Sequence, residues 1–386
     1  MTRRTDVVVV GGGPAGMYTA HQLAEAGYRV SVLDSRREIG EQVICTGIVS
    51  REAFERYGFS HASVLSSIQK LRLISPGGLE LRYTHPSVLA YAVDRHKFDN
   101  EIRHRAQRSG AEVSVESSVQ QISVERGRVR LSVQNSHRRY ELSAALCVIA
   151  TGIRYTLHRQ VGLGVPSSFL KAAQAHLPAG REDVTTVFVG QRVAPGGFAW
   201  VVPLGRQLCR VGLMTHGDAR RLFHRLVERL QLSHQNGHTP VDLKPIAQGM
   251  ARCSSTDRVI AVGEAAGQVK TTTGGGIYYG LLGAEIAAEV AARALARNDL
   301  SARALGEYDR LWKRRIGGEI EKGFRTRQQA ARLSDAQMDR LVRASQENGL
   351  FAFAEKHARF DWHRKMIGYV LKLPAFREAL LRAVQA

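Results

Sequence analysis

Apolar residues near the N-terminus fall into two short runs with a helical pattern between them. Asp6 to Val10 ends in consecutive valines without polar alternation, which is typical of a buried parallel strand. Helical spacing follows from Ala15 to Ala26 and stops at Gly27. A second β-rich run, Tyr28 to Leu33, ends in Asp34. The pattern predicts a complete βαβ unit.

Later parts of the chain repeat the strand pattern and then become helical. Cys147 to Ala150 and Arg258 to Val262 are short apolar runs that lead into glycine-containing segments, and the second segment opens a long helix. Alternation typical of antiparallel strands occupies residues 68–85 and 154–251. Helical spacing returns over residues 298–386.

The loop after the first strand carries the fingerprint GxGxxG between a strand and a helix, the context in which it binds a dinucleotide. Gly11 allows the tight turn, Gly13 lets the backbone approach a pyrophosphate, and Gly16 lets helix and strand pack closely. Asp34 is placed to accept hydrogen bonds from a ribose, which favours FAD or NAD over NADP. The predicted cofactor-binding residues here are Gly11, Gly13, Pro14, Ala15, Gly16 and Asp34.

Glycine segments far downstream favour FAD over NAD, because they place further dinucleotide contacts along most of the chain. Free amides at the start of the long helix suit a ribityl phosphate and the N1/C2 edge of an isoalloxazine, which becomes anionic on reduction. We therefore predict FAD. The additional cofactor residues are Thr151, Gly152, Gly276 and Ile277, with Gly275 and Gly276 as catalytic candidates beside the flavin ring.

The predicted fold is α/β, with a Rossmann-type FAD-binding domain, an antiparallel β-sheet substrate domain and a helical C-terminal region. Two interleaved domains suit a chain of 386 residues, which is too long for one small core. The FAD-binding domain comprises residues 1–60, 90–153 and 255–297; the substrate domain comprises 61–89 and 154–254; the helical region comprises 298–386.

Four segments carry a resemblance to a known family: Gly263 to Gly280, Val93 to Asp99, Cys45 to Ser50 and Gly197 to Pro203. The first is similar to a GDAAG…GGGI stretch, the third to a CxGxxS element and the fourth to a YxWxFP box. With them the chain resembles the geranylgeranyl reductase family, among the flavoproteins that are similar to p-hydroxybenzoate hydroxylase. The resemblance implies that fold, FAD, and reduction of C=C bonds in prenyl chains.

For the cofactor, the resemblance implies five residues beyond those named above. Arg95 contacts the FAD phosphates, and Cys45 and Thr46 lie beside the flavin. Val119 and Glu264 also contact FAD, with Glu264 standing where the family has Asp at the ribityl chain. Glu264 keeps the charge and is one methylene longer, so cofactor binding is still expected.

For the substrate, the resemblance implies that Phe198, Trp200 and Pro203 line the cavity for the prenyl chain. Phe198 stands for Tyr and Val202 for Phe in the box, and related halogenases carry a similar aromatic box. Cys45 is implied as an acid or positioning group near the C=C bond, to which a proton must be delivered. The alternatives are that Cys45 is a small apolar filler and that Phe198 and Trp200 are core residues.

The charge and the cysteine content limit the cellular location and the partners that the protein can have. The net charge is +20, and from Ala291 onward 20 Lys and Arg face 11 Asp and Glu. This end is a candidate contact with an anionic membrane, although solvated basic helices explain it equally; no nucleic-acid motif accompanies it. Four scattered cysteines and no leader predict a cytoplasmic protein. His234 and His238 have no ligand partners at metal spacing, so no metal is predicted.

Three functions are compatible with these observations. The leading one is an FAD-dependent reductase of geranylgeranyl or other polyprenyl chains on a lipid, quinone or diphosphate carrier. A flavin monooxygenase or halogenase of the same fold is the alternative, and a non-catalytic FAD-retaining membrane protein is the third. No second GxGxxG marks a nicotinamide site, so NADPH, ferredoxin or a similar donor is compatible with the sequence.

Overall fold

A computed structural model describes residues 3–125, 127–136, 138–178, 183–205, 207–232, 240–347 and 349–374. The loop containing His234 and His238 lies outside these residues. The strands are β1 Arg3–Val10, β2 Val30–Leu33, β3 Ile48–Ser50, β4 Val64–Ile68, β5 Lys70–Ile74, β6 Glu80–Thr84, β7 Ala90–Val93, β8 Glu112–Ser114, β9 Ser118–Glu125, β10 Arg128–Gln134, β11 Arg139–Ile149, β12 Ser168–Pro178, β13 Thr185–Val189, β14 Phe198–Gly205, β15 Leu208–Thr215, β16 Asp242–Gln248, β17 Ser255–Thr256 and β18 Val259–Ala261.

The α-helices are α1 Pro14–Glu25, α2 Arg51–Tyr57, α3 Arg95–Arg108, α4 Thr156–Gln160, α5 Ala219–Arg229, α6 Ile277–Ala296, α7 Ala302–Trp312, α8 Gly318–Ala330, α9 Asp335–Glu347, α10 Leu350–His357 and α11 Arg364–Val370. Short 3₁₀ segments lie at His61–Ser63 and Gly263–Ala266, and a π-helical turn lies at Lys313–Gly317. The chain divides into two compact units. Unit 1 comprises residues 1–43, 95–168 and 247–321, and unit 2 comprises 44–94, 169–246 and 322–386.

Unit 1 is built on a parallel sheet whose central strand is β1. Its order is β17-β18-β11-β1-β2-β8, and β1 pairs in parallel with β11 on one side and β2 on the other. Val7, Val8 and Val9 are fully buried, which explains why β1 lacks polar alternation. The predicted βαβ unit is therefore confirmed, with α1 connecting β1 to β2.

A hairpin extends this sheet on the side of β11. β11 pairs with β10 and β10 with β9, all antiparallel. The sequence predicted only residues 147–150 as a strand here, whereas β11 begins at Arg139. The missed half begins with exposed and half-buried polar residues and becomes buried from Leu142 onward. It pairs with β10, whose Val129, Leu131 and Val133 are buried on alternate positions.

Buried polar groups fasten α6 and α7 to the end of β18. Gln268 accepts a hydrogen bond from Gly263 N at 2.7 Å and donates to the hydroxyl of Tyr308 at 2.8 Å. That hydroxyl donates to Ala261 O at 2.8 Å. Gln268 lies so close to Gly283 that a Cβ there would stand 2.0 Å from its Oε1. A side chain on that face of α6 would therefore displace the amide.

Unit 2 is built on a seven-stranded sheet of order β16-β12-β15-β14-β13-β5-β6. The pairs β12–β15, β15–β14, β14–β13 and β5–β6 are antiparallel, while β13 and β5 are parallel. The predicted antiparallel sheet is thus present with one parallel pair. Helix α5 covers one face through Leu222, Phe223, Leu226 and Val227, which are all buried.

A smaller sheet and the C-terminal helices complete unit 2. The strands β3-β7-β4 form an antiparallel sheet. Asp335 accepts from Gln191 N at 2.6 Å, and Asp339 accepts from Gly77 N at 2.8 Å, so α9 holds two loops at the sheet edge. Trp362 donates its indole N–H to Glu52 of α2 at 3.0 Å.

The compact units and the domains predicted from the sequence differ in five places. The two shortest are residues 90–94, which belong to unit 2, and residues 247–254, which belong to unit 1. Residues 44–60 belong to unit 2, because β3 pairs with β7. Residues 154–168 belong to unit 1, where His158 bonds to Ala265 O at 3.0 Å. The predicted helical region is divided, with 298–321 in unit 1 and 322–386 in unit 2, because the Tyr308 contacts lie in unit 1.

We predict that Tyr308→Phe lowers the free energy of unfolding by about 1–3 kcal/mol, because it leaves Ala261 O and Gln268 Nε2 buried without their partner. Chemical denaturation of the holoprotein measures the change. Tyr140→Phe is the matched control, since its half-exposed hydroxyl makes no hydrogen bond among the described residues. Equal stabilities of the two variants would contradict the assigned role of the Tyr308 hydroxyl.

Candidate active site

The fingerprint turn in unit 1 is closed by backbone contacts that only glycine permits. A Cβ on Gly11, whose φ is +111°, would lie 2.3 Å from Ala150 O, and one on Gly16 would lie 2.1 Å from Gly11 O. By contrast, a Cβ on Gly13 would have no described atom within 4 Å. Gly11 and Gly16 are thus required by packing, whereas Gly13 borders open space where a pyrophosphate can approach.

Asp34 stands at the end of β2 with its carboxylate turned to the same turn. Its Oδ2 accepts from Gly12 N at 2.6 Å and its Oδ1 accepts from Arg36 N at 2.8 Å. The residue is 6% exposed. Each oxygen has a further lone pair, so the carboxylate can accept ribose hydroxyls while the backbone fixes its orientation.

Thr151 and Gly152 follow β11 and lie next to the fingerprint, because Gly11 faces Ala150 O and Thr151 N. Glu264, in the segment after β18, brings its Oε2 to 3.7 Å from the Cβ position of Gly152. The hydroxyl of Tyr155 donates to Glu264 O at 3.3 Å, and burial followed by the Glu264 charge raises the pKa of Tyr155. The predicted cofactor residues of three separate segments therefore meet at this sheet edge.

The N-termini of α1 and α6 are close to each other and carry no side-chain caps. Gly263 and Gly280 both face Ala15, with Cβ positions 3.0 and 3.4 Å from its Cβ. The N-cap residues are Gly13 for α1 and Gly276 for α6, and as glycines they supply no side-chain capping hydrogen bond. Helix N-termini with uncapped amides attract anionic groups, so this pair suits the phosphates and reduced ring of a flavin nucleotide.

The loop before α6 is supported from beneath by a lysine. Gly275 O accepts from Lys270 N at 2.9 Å, and a Cβ on Gly275 would lie 3.0 Å from Lys270 Cε. Lys270 is 5% exposed. A Cβ on Gly276 would press on Val269 at 3.3 Å, and Ile277 begins the helix. Lys270 adds positive charge beneath the two glycines predicted to face the flavin ring.

Arg95, the first residue of α3, is paired with Asp99. Its Nε and Nη2 donate to the two carboxylate oxygens at 2.9 and 2.7 Å. A phosphate contact would therefore use the opposite edge of the guanidinium. Gly40 sits against this turn, with a Cβ position 2.9 Å from Arg95 O, so the loop after β2 holds the start of α3.

Taken together, the unit 1 residues fit a dinucleotide. The open space at Gly13, the oriented carboxylate of Asp34 and the N-termini of α1 and α6, which have no side-chain caps, lie in the same region of unit 1. Val119 stands apart from them: it lies on β9 and packs on the core beneath the hairpin. Its predicted FAD contact stays a prediction. Within the described residues, no group of three His, Cys, Asp or Glu side chains is placed to hold a metal ion.

In unit 2, the Cys45–Gly47 loop is held by side chains from the large sheet. Thr46 donates its hydroxyl to Gln174 Oε1 at 3.0 Å, and Gln174 Nε2 donates to Cys45 O at 3.4 Å. Arg210 donates from Nη1 to Thr46 O and from Nε to His176 Nε2. Gly47 N donates to Cys45 Sγ at 3.3 Å, which orients the thiol.

The aromatic box lies on β14, beside the same part of the sheet. The rings of Phe198 and Trp200 are 5.6 Å apart, and both pack in one apolar cluster. The indole lies over Gly212, where a Cβ would stand 2.5 Å from the ring. Trp200 is 8% exposed, and its Nε1 has no hydrogen-bond partner among the described residues. By strand alternation Pro203 faces the opposite side from Trp200, so the box wall in unit 2 consists of the two aromatic rings.

Sequence reasoning missed the side chains that support these predicted residues. Gln174, His176 and Arg210 lie within apolar strands, and a buried arginine inside such a strand is the signal that points to a polar site. Lys270 and Gln268 fall inside the quoted glycine-rich motif. Their roles depend on contacts with residues far along the chain, which local pattern does not reveal.

Comparison with known proteins identifies a matching family model and related sequences. Residues 5–178 match the family model described as pyridine nucleotide-disulphide oxidoreductase. The chain is 31% identical over 365 residues to digeranylgeranylglycerophospholipid reductase 1 of Methanothermobacter thermautotrophicus, covering 90% of this chain and 92% of that protein.

Solved structures show the same fold. A geranylgeranyl bacteriochlorophyll reductase-like protein of Thermoplasma acidophilum superposes with a TM-score of 0.87 at 21% identity, covering 100% of both chains. The halogenase PltM in complex with FAD gives a TM-score of 0.70 at 14% identity, covering 99% of this chain and 91% of that one. The fold is therefore shared with flavin enzymes of other chemistry.

The family model and the reductase relatives show that the protein is an FAD-dependent oxidoreductase. The chain belongs to the geranylgeranyl reductase family, as its identity to the Methanothermobacter reductase over nearly the whole chain shows. The predicted family and the predicted p-hydroxybenzoate hydroxylase-like fold are confirmed.

We predict that Gly13→Val abolishes FAD binding without unfolding the protein, because its side chain enters the open space by the fingerprint and meets no described atom at Cβ. The flavin absorbance per protein and the far-UV circular dichroism of the purified variant measure the two effects. Gly306→Val, on α7, is the control, since its Cβ position is equally open. Gly13→Val with a full complement of FAD would place the pyrophosphate elsewhere.

Proposed function

We propose that the protein saturates C=C bonds in the geranylgeranyl chains of a glycerophospholipid. The observation that carries the proposal is the 31% identity, over 90% of this chain, to a protein named digeranylgeranylglycerophospholipid reductase. Further relatives of that name include one from Methanocaldococcus jannaschii at 28% identity over 359 residues. The two aromatic rings on β14 supply an apolar wall of the kind that a prenyl chain requires.

The cofactor residues divide the task of holding FAD, which when bound supplies a hydride to one alkene carbon. The N–H groups of Gly13, Ala15 and Gly16, at the N-terminus of α1, would hold the pyrophosphate, and Asp34 would hold the ribose. The amides at Gly276 and Ile277, with the charge of Lys270 beneath them, stabilise negative charge on the ring edge. Glu264 contacts the ribityl chain.

Cys45 supplies the proton that the second alkene carbon requires. Its thiol releases the proton as the hydride arrives and recovers one from solvent, so that the alkene gains two hydrogens. Gly47 N–H donates to the sulfur at 3.3 Å and stabilises the charge left on it. Trp200 and Phe198 exclude water from the apolar chain.

The proposal also includes the place of the reaction and the source of its electrons. A lipid substrate and a net charge of +20 favour peripheral contact with an anionic membrane surface on the cytoplasmic side. Among the described residues, no helix has both the length and the apolar character needed to cross a bilayer. NADPH, ferredoxin or a similar donor supplies the electrons.

We predict that the dithionite-reduced holoprotein is reoxidised anaerobically by geranylgeranyl glycerophospholipids. Each turnover should add two hydrogens to the lipid, because hydride and proton enter the same double bond. The flavin absorbance spectrum measures reoxidation of the flavin, and mass spectrometry of the lipid measures the hydrogens that it gains. The fully saturated lipid is the control and should leave the flavin reduced. A flavin that stays reduced until oxygen is admitted would contradict the proposal and favour monooxygenase chemistry.

We predict that Cys45→Ser retains FAD and slows alkene saturation by a factor on the order of 10², since a positioned general acid contributes at least that much. Single-turnover flavin reoxidation measures the rate. Cys253→Ser is the control, because Cys253 is similarly half-exposed and donates only to Ser255 O, at 2.9 Å. Turnover by Cys45→Ser at the rate of the control would remove the thiol from the mechanism.

A further inference from the structure

We propose that Arg210 and His176 are positioning residues that hold the Cys45–Gly47 loop in its working conformation, and that protonation of His176 releases the loop. The proposal rests on the proposed role of Cys45 in proton delivery. It assigns a function to a buried arginine and a histidine that lie on the sheet behind the loop, and it makes the loop sensitive to pH.

Arg210 joins the sheet to the loop through one rigid guanidinium. The residue is 5% exposed and lies on β15 opposite Val202 of the aromatic strand. Its Nη1 donates to Thr46 O, while its Nε donates to His176 Nε2 at 2.9 Å. Because the guanidinium is planar, the imidazole fixes the direction in which Nη1 reaches Thr46.

His176 must be neutral to take part in this arrangement. Arginine has N–H donors and no acceptor, so the contact from its Nε requires a lone pair on His176 Nε2. The imidazole proton therefore resides on Nδ1. A second proton on Nε2 would place two N–H groups and two positive charges against each other.

The surroundings of His176 favour the neutral ring. His176 is itself exposed on β12. Partial desolvation of the ring, and then the charge of Arg210, lowers the pKa of His176, and the carboxylate of Asp242 on β16 opposes this shift. β16 also carries Lys244, a further positive charge on the neighbouring strand. The pKa of the ring thus lies below its ordinary value, and the contact persists at neutral pH and is lost as the pH falls through that lowered pKa.

Gln174 holds the same loop by contacts that do not titrate. Its amide binds Thr46 Oγ1 and Cys45 O, both of which precede the Thr46 carbonyl along the chain. Loss of the arginine contact therefore frees the Thr46–Gly47 peptide while the Cys45 carbonyl stays attached. Since Gly47 N–H orients the sulfur, this local release changes the exposure of the thiol.

Thiol reactivity tests the proposal without relying on catalysis. The holoprotein carrying Cys253→Ser is treated with 2,2′-dithiodipyridine between pH 5 and 8, and modification of Cys45 is followed by mass spectrometry. His176→Gln keeps an acceptor oxygen but has no titrating group. We expect Cys45 of the parent to react about tenfold faster than that of His176→Gln at the acid end, because an ionic hydrogen bond is lost there, and equally fast at pH 8.

Arg210→Met and Arg210→Lys provide the second arm. Methionine cannot donate to Thr46 O or to His176 Nε2, so Cys45 of Arg210→Met should react fast at every pH. Lysine keeps the positive charge, so Arg210→Lys should restore part of the protection of the thiol. Parallel profiles of the parent and His176→Gln, or unchanged reactivity in a folded Arg210→Met, would overturn the proposal. Turnover of geranylgeranyl lipid is measured separately, so a failure of the proposed reaction leaves the thiol result interpretable.

Discussion

The close approach of the turn after β1 to the end of β11 is the constraint on which unit 1 depends. Gly11 touches Ala150 O, and Gly16 touches both Gly11 O and the Ala150 side chain, so any larger residue would push strand and helix apart. This contact sets the direction of α1. It therefore also sets where the uncapped amides at Gly13 point, and only Gly13 among these glycines is free of packing demands.

The second helix end is placed by a different kind of interaction. Ala15 is small enough for Gly263 and Gly280 to reach it, and the buried amide of Gln268 ties the segment before α6 to Tyr308. Small residues bring the two helices together, while satisfied polar groups prevent them from sliding. The positive ends of α1 and α6 consequently lie close together, as the proposed binding of one nucleotide requires.

The local sequence pattern predicted those parts of the fold whose residues are close together in the sequence. The valines of β1, the glycine turn and the acid at Asp34 lie within about 30 residues, a separation typical of a βαβ unit, and were identified correctly as one. The boundaries of the units and the supports of the Cys45 loop were not predicted. Arg210 and Thr46 are far apart in sequence, and their contact exists only in the folded chain, so local pattern does not reveal it.

Neither unit is a continuous stretch of chain, and this has a consequence for synthesis on the ribosome. The fingerprint at residues 11–16 emerges early, but its partner strand ends at Ile149 and the glycines before α6 follow residue 262. The first strand has both of its partner strands once residue 149 has been made, whereas α1 packs on α6 only after residue 277 has been made. A nucleotide site built from both helix ends is therefore complete only after the glycines before α6 have been translated.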